Sequence, residues 1–147
     1  MKTTVTKIIE WDAGHRVPNH KSKCHNLHGH RYKMELTLSG PLIDISGDSS
    51  EGMVFDFGDI KKVMTEKVHD VLDHGFIWYD KDPVMINVVV LSKGMKYILV
   101  NFIPTAENLA KWCYEQMVNS FPDGIEIENV RLFETPNSWA DFKPEIK

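Results

Sequence analysis

The order of periodicities along the chain predicts an α+β fold, with an antiparallel sheet carrying two helices on one face. Three observations predict it. Apolar and polar residues alternate in two N-terminal runs, apolar residues recur at helical spacing in two later runs, and strands and helices do not interleave one for one as a doubly wound sheet requires.

In the first fourteen residues Val5, Ile9, Trp11 and Ala13 share one parity against Thr4, Thr6, Glu10 and Asp12, the pattern of a half-buried strand, with Ile8 out of phase. Residues 30–38 alternate without error, Tyr32, Met34, Leu36 and Leu38 against Arg31, Lys33, Glu35 and Thr37. After Asp56 or Asp59 as N-cap, Ile60, Val63, Met64, Val68, Val71 and Leu72 form one helical stripe from about 58 to 72, which Asp73-His74-Gly75 ends. Residues 84–91 and 95–103, rich in Val and Ile around Ser92-Lys93-Gly94, predict a hairpin. A second helix starts after Pro104 with Thr105 as N-cap and buries Leu109, Trp112, Cys113, Met117 and Phe121 until Pro122-Asp123-Gly124 stops it. Residues 125–134 read as a last strand.

The 147 residues are 42% hydrophobic and 26% charged, enough for one core, and without repeats or a long linker they predict a single domain over 1–147. Seventeen Lys and Arg against 21 Asp and Glu leave a net charge of −4, so no global basic field is available for nucleic acid or anionic lipid, and neither is expected as a partner. Cys24 and Cys113 stand in unlike surroundings, which argues against a disulfide framework and for a reducing, cytoplasmic setting. No window approaches the ~18 apolar residues of a membrane span, and no phosphate-binding glycine motif occurs.

Five of the seven histidines fall between His15 and His30. His28 and His30, two apart at the start of the second strand, project from one face, and His15 ends the first strand on the parity of Trp11 and Ala13. The loop from 16 to 27 is long enough to bring the three together. Neutral imidazoles suit zinc, and three histidines leave a coordination position for water or substrate. On spacing alone His20 or His25 could replace His15. Cys24 lies in a basic neighbourhood of Lys21, Lys23 and His25, which favours a thiolate; as a fourth ligand it would instead close the site. Asp73-His74 is either a helix C-cap or, if the fold brings it to Cys24, the remainder of a thiol, imidazole and carboxylate relay.

Trp11-Asp12-Ala13-Gly14-His15, Lys23-Cys24-His25-Asn26-Leu27-His28-Gly29-His30, Val54-Phe55-Asp56-Phe57, Leu72-Asp73-His74, Pro104-Thr105-Ala106-Glu107-Asn108 and Phe133-Glu134-Thr135 resemble, in this order, the 6-pyruvoyltetrahydropterin and 6-carboxytetrahydropterin synthase family. The three-residue interval between Cys24 and His28 is similar to the 6-carboxytetrahydropterin branch of the queuosine pathway. The resemblance implies a tunnelling fold, with sheets from several subunits closing into a barrel as a homohexamer built from two trimers. It implies zinc on His15, His28 and His30, proton transfer by Cys24, Asp73 and His74, and a pterin ring anchored by Glu134 with Thr105 and Glu107.

The implied activity is a zinc-dependent lyase converting 7,8-dihydroneopterin triphosphate to 6-carboxy-5,6,7,8-tetrahydropterin, with release of triphosphate and acetaldehyde. The pyruvoyl branch, a zinc or thiol hydrolase of another substrate, and a non-catalytic zinc module are the alternatives. Arg16, Lys21, Lys23 and Lys33 are candidates for the triphosphate. Two departures stand out: Gly75-Phe76 follows Asp73-His74 where members of the family show Leu-Asn, and residues 76–103 exceed what compact members need.

Overall fold

A computed structural model describes residues 1–145. Strands β1 (Thr3–His15) and β2 (His28–Gly40) are joined by a loop containing a 3-10 turn at Lys23–His25. Helix α1 (Phe57–Met64) runs through a π-turn at Thr65–His69 into the short α2 (Asp70–Leu72). There follow β3 (Gly75–Tyr79), α3 (Pro83–Leu91), β4 (Tyr97–Val100), α4 (Ala106–Met117), β5 (Glu126–Thr135) and β6 (Ser138–Phe142). The six strands form one sheet in the order β4-β3-β1-β2-β5-β6.

The alternation in the first two strands becomes the core. Trp11, Tyr32, Met34, Leu36 and Leu38 are buried on the inner face against Ile60, Met64 and Leu72 of the first helical stripe and Leu109, Cys113 and Met117 of α4. At about 25 cal/mol per Å² of apolar surface removed from water, these interdigitating rows are the main force holding helices to sheet. Both long helices start where capping chemistry directs. Asp56 accepts hydrogen bonds from Gly58 N at 2.7 Å and Asp59 N at 3.3 Å, and Thr105 Oγ1 accepts from Asn108 N at 3.2 Å.

The expected hairpin over 84–103 is corrected by the structure: residues 83–91 are helical and only Tyr97–Val100 is a strand. Pro83 occupies the first helical turn and Asp82 Oδ1 accepts from Val84 N at 3.1 Å. This start signal outweighs the β-propensity of the valine run. The wholly antiparallel sheet is corrected with it. β1, β2, β5 and β6 pair antiparallel, but β3 is parallel to both β1 and β4. Two adjacent parallel strands need a crossover, and α3 is that crossover. α3 is apolar on nearly all sides, with Val84, Ile86, Val90 and Leu91 exposed.

Gly75 explains one of the sequence departures. A Cβ there would overlap Ile98 Cδ1 and stand 3.2 Å from Leu72 O, so the Ile98 side chain of β4 packs directly over the residue 75 backbone where no side chain intervenes. β3 and β6 were not foreseen as strands, and the last predicted strand is observed one residue later, as β5.

Candidate active site

Strand register builds the central cluster. His15 stands directly opposite His28 across the β1–β2 pair and Ala13 opposite His30, so all three imidazoles leave the sheet on the helix-bearing face beyond Trp11 and Tyr32. Ring centroids are 4.6 Å apart for His15 and His28, 5.0 Å for His15 and His30, and 4.9 Å for His28 and His30. The potential ligating atoms lie within 4.8 Å of one another.

Two backbone carbonyls set the tautomers. Pro104 O lies 2.7 Å from His15 Nδ1 and Asn26 O lies 2.8 Å from His28 Nδ1. A carbonyl only accepts, so each Nδ1 carries the proton and each Nε2 presents a bare lone pair. The Nε2 atoms of His15, His28 and His30 are all buried without a hydrogen-bond partner. Three unpartnered ring nitrogens this close, two of them fixed as acceptors, are costly unless a cation satisfies them, and the group could hold a metal ion. Burial lowers the pKa of His15 to about 4, assisted by His28 and His30 and opposed by the Pro104 bond. Burial also lowers that of His30, with His28 adding to it. Both are therefore neutral near pH 7, the form that binds metal.

Glu134 reaches the cluster from β5, with Oε1 3.8 Å from His15 Nε2 and Oε2 3.9 Å from His30 Nε2. Burial, and secondarily Glu107, raises its pKa, against His28. Glu134 also lines a cavity of about 330 Å³ shared with Cys24, His20, Thr105, Glu107 and Trp139. Cys24 is a half-buried free thiol on the 3-10 turn, and its carbonyl accepts from Val17 N at 2.8 Å, which ties the loop into place. Among the described residues the ligating group consists of the three histidines, with the Cys24 sulfur outside it. His20 Nδ1 accepts from Ser22 N at 3.0 Å, and His20 and His25 are exposed and outside the group.

Asp73 and His74 pair with each other, His74 Nδ1 lying 2.9 Å from Asp73 Oδ2, and this bond is the first cause of the lowered Asp73 pKa. His74 has φ 58, the one non-glycine residue with positive φ among the described residues, a left-handed conformation that costs about 1–2 kcal/mol. Its side chain opens into a different and larger cavity, about 830 Å³, with Gly14, Arg31 and Phe76. Within one chain Cys24 and His74 thus line separate cavities.

Arg16 is engaged elsewhere, with Nη1 3.4 Å from the buried Asp82 and Nη2 donating to Pro18 O at 3.3 Å. Lys33 packs 4.0 Å from the Phe133 ring centroid and lines a cavity with His30 and Glu134. Tyr32 is a neighbour that the sequence reading placed only in the core. Its ring stands edge-on to His15 and His30 at 6.0 and 5.5 Å, its buried hydroxyl has no partner, and burial pushes its phenol far up. Its parity with His28 and His30 was the available signal. The two orienting carbonyls carried none, because they are backbone.

Three histidines converge at the ends of the two central strands of an α+β sheet with helices on one face, and the fold is the tunnelling fold of tetrahydropterin synthases. The chain belongs to the 6-pyruvoyl tetrahydropterin synthase family, whose sequence profile matches residues 4–145. It is 36% identical over 141 residues to the 6-carboxy-5,6,7,8-tetrahydropterin synthase of Rickettsia bellii, covering 92% of this chain and 96% of that protein. It is 30% identical to the enzyme of the same name from Haemophilus influenzae, covering 95% and 97%. A 6-pyruvoyl tetrahydropterin synthase from Caenorhabditis elegans superposes with a TM-score of 0.69 at 25% identity, over 99% of this chain and 97% of the other. An uncharacterized protein from Wolinella succinogenes superposes with a TM-score of 0.83 at 23% identity over 99% of each chain. No helix among the described residues is long and apolar enough to cross a membrane.

Proposed function

We propose that this protein is a zinc-dependent lyase that converts 7,8-dihydroneopterin triphosphate, with uptake of water, to 6-carboxy-5,6,7,8-tetrahydropterin, triphosphate and acetaldehyde, in the 7-deazaguanine route to queuosine. The observation that carries the reading is the convergence of three buried imidazole nitrogens without hydrogen-bond partners and a carboxylate that faces the cavity of the free thiol. The relatives named 6-carboxy-5,6,7,8-tetrahydropterin synthase, matched over nearly the whole chain, support the carboxy product.

His15, His28 and His30 would hold the zinc, which when bound supplies Lewis acidity toward the hydroxyl groups of the substrate side chain. The remaining roles belong to the chain itself. The carboxylate of Glu134 accepts from the donor edge of the pterin, its 2-amino and ring N–H groups, with Thr105 and Glu107 bounding the same cavity. That contact places the substrate side chain between the histidine cluster and Cys24. The Cys24 thiolate takes a proton from the side-chain carbon and returns it to the ring system. Asp73 holds the His74 imidazole by the bond at Nδ1, leaving Nε2 free to exchange protons. Because Cys24 and His74 face separate cavities in one chain, the relay is completed between copies of the chain, in the homohexamer of two trimers implied by the family resemblance.

Purified protein of measured metal content, incubated with 7,8-dihydroneopterin triphosphate, tests the reading by chromatography of the pterin and an acetaldehyde assay. Equal amounts of 6-carboxytetrahydropterin and acetaldehyde support it. A pyruvoyl product without acetaldehyde assigns the other branch, and no pterin product in the metal-loaded protein overturns both.

A further inference from the structure

We propose that Lys96, contributed by the β3–α3–β4 unit, is a positioning residue that holds the Asp73–His74 turn in the conformation from which the imidazole acts. This rests on the proton-transfer role proposed for that pair and extends it to a residue outside the motifs that suggested it.

Helix α2 ends at Leu72, and its last carbonyls have no partner within the helix. The Lys96 ammonium donates to two oxygens at this end, Asp70 O and Asp73 O, both at 2.8 Å. Asp73 O belongs to the peptide unit that leads into His74, the residue held at φ 58. The N–H of that same unit, from His74, donates to Asp12 O on β1 at 2.7 Å. One peptide unit is therefore gripped from both sides, its carbonyl by Lys96 and its N–H by β1, and a peptide held at both polar atoms cannot rotate without breaking one bond.

The surrounding contacts transmit this grip to the imidazole. Asp12 N donates to Asp73 Oδ1 at 3.2 Å, leaving Oδ2 to face His74 Nδ1 at 2.9 Å. The lysine is itself anchored, since Phe76 N donates to Lys96 O at 3.1 Å. Its stem passes beside residue 75, where an added Cβ would stand 3.4 Å from Lys96 Cγ, at van der Waals contact. A lysine at a helix C-terminus also serves as a cap. A cap alone would change stability and leave the rate of the bound complex unaltered, whereas a positioning residue changes the rate.

The test compares Lys96→Met and Lys96→Arg with the parent holoenzyme on 7,8-dihydroneopterin triphosphate, recording metal per chain, KM and kcat. Lys96→Met, which keeps the stem and removes the donor, lowers kcat about 10-fold or more, the scale of misplacing a reacting group. KM and metal content stay as in the parent, and Lys96→Arg restores most of kcat. Parent-like kcat in Lys96→Met overturns the proposal, as does a rise in KM alone or a melting-temperature loss without a kcat loss. Should Lys96→Met fail to fold, Lys96→Ala also removes the donor, and a parent-like kcat there overturns the proposal. Parent-like turnover in His74→Asn overturns the proton-transfer reading itself, and this one with it, and is seen in a different variant.

Discussion

The imidazole of His15 and the carbonyl of Pro104, 89 residues apart in sequence, meet at 2.7 Å. The segment that opens α4 therefore does three things at once: its proline carbonyl fixes the tautomer of His15, its threonine caps the helix, and its glutamate stands beside Glu134. Perturbing the start of α4 reaches the histidine cluster directly.

Metal and rate separate in two variants. His28→Ala removes one of three lone pairs and loses most of the bound metal, because two imidazoles make an incomplete site. Cys24→Ala retains the metal and loses about 10²-fold or more in turnover, the scale of deleting a general acid or base. Metal quantification beside steady-state kinetics decides both, and full metal content in His28→Ala would show that the cluster is not the site.

Stability of the metal-free protein depends on pH through His15. Its pKa lies near 4 in the folded chain and near 6.5 in the unfolded one. Between those values the unfolded chain binds the extra proton, so stability falls as pH drops from 6.5 toward 4, with a limiting slope of about 1.4 kcal/mol per pH unit. Above that window the group contributes no pH dependence. Urea midpoints for wild type and His15→Gln after metal removal should diverge in slope only inside the window, and parallel curves there would contradict the assignment.

Glu134→Gln replaces one of two charged acceptors by an amide. Charge-assisted hydrogen bonds contribute about 1.5–3 kcal/mol, so KM for the pterin triphosphate should rise about 10- to 100-fold with the metal content unchanged. An unchanged KM would place the pterin elsewhere.

Mixing tests the relay between copies. Cys24→Ala and His74→Asn should each be nearly inactive, while a co-refolded mixture should recover part of the parent rate, because some sites then combine an intact thiol from one chain with an intact imidazole from another. A mixture no more active than its components would confine the relay to a single chain or dismiss it.

The parts of this molecule legible in the sequence are those where one local rule acts alone. Tyr32, Met34, Leu36 and Leu38 alternate because one face of β2 is buried, and Thr105 caps α4 because its hydroxyl accepts from the helix backbone. The convergence of His15, His28 and His30 was legible because strand parity and a loop long enough to turn specify the same face. Two rules competed at residues 83–91, where a valine-rich run and an Asp-Pro start signal disagreed, and the capped helix won. The Pro104 and Asn26 carbonyls and the grip of Lys96 on Asp73 O were illegible for a different reason. They are long-range contacts to backbone atoms that every residue possesses.

The left-handed backbone at His74 also governs how genetics at this position must be interpreted. Alanine, the customary deletion, keeps the steric penalty of a Cβ in that region while removing the side chain whose contact with Asp73 helps offset it. Asparagine and glycine tolerate the conformation far better. A phenotype from the alanine allele would merge a chemical defect with a distorted chain, whereas the asparagine allele isolates the chemistry, so a milder outcome there would reflect a cleaner control.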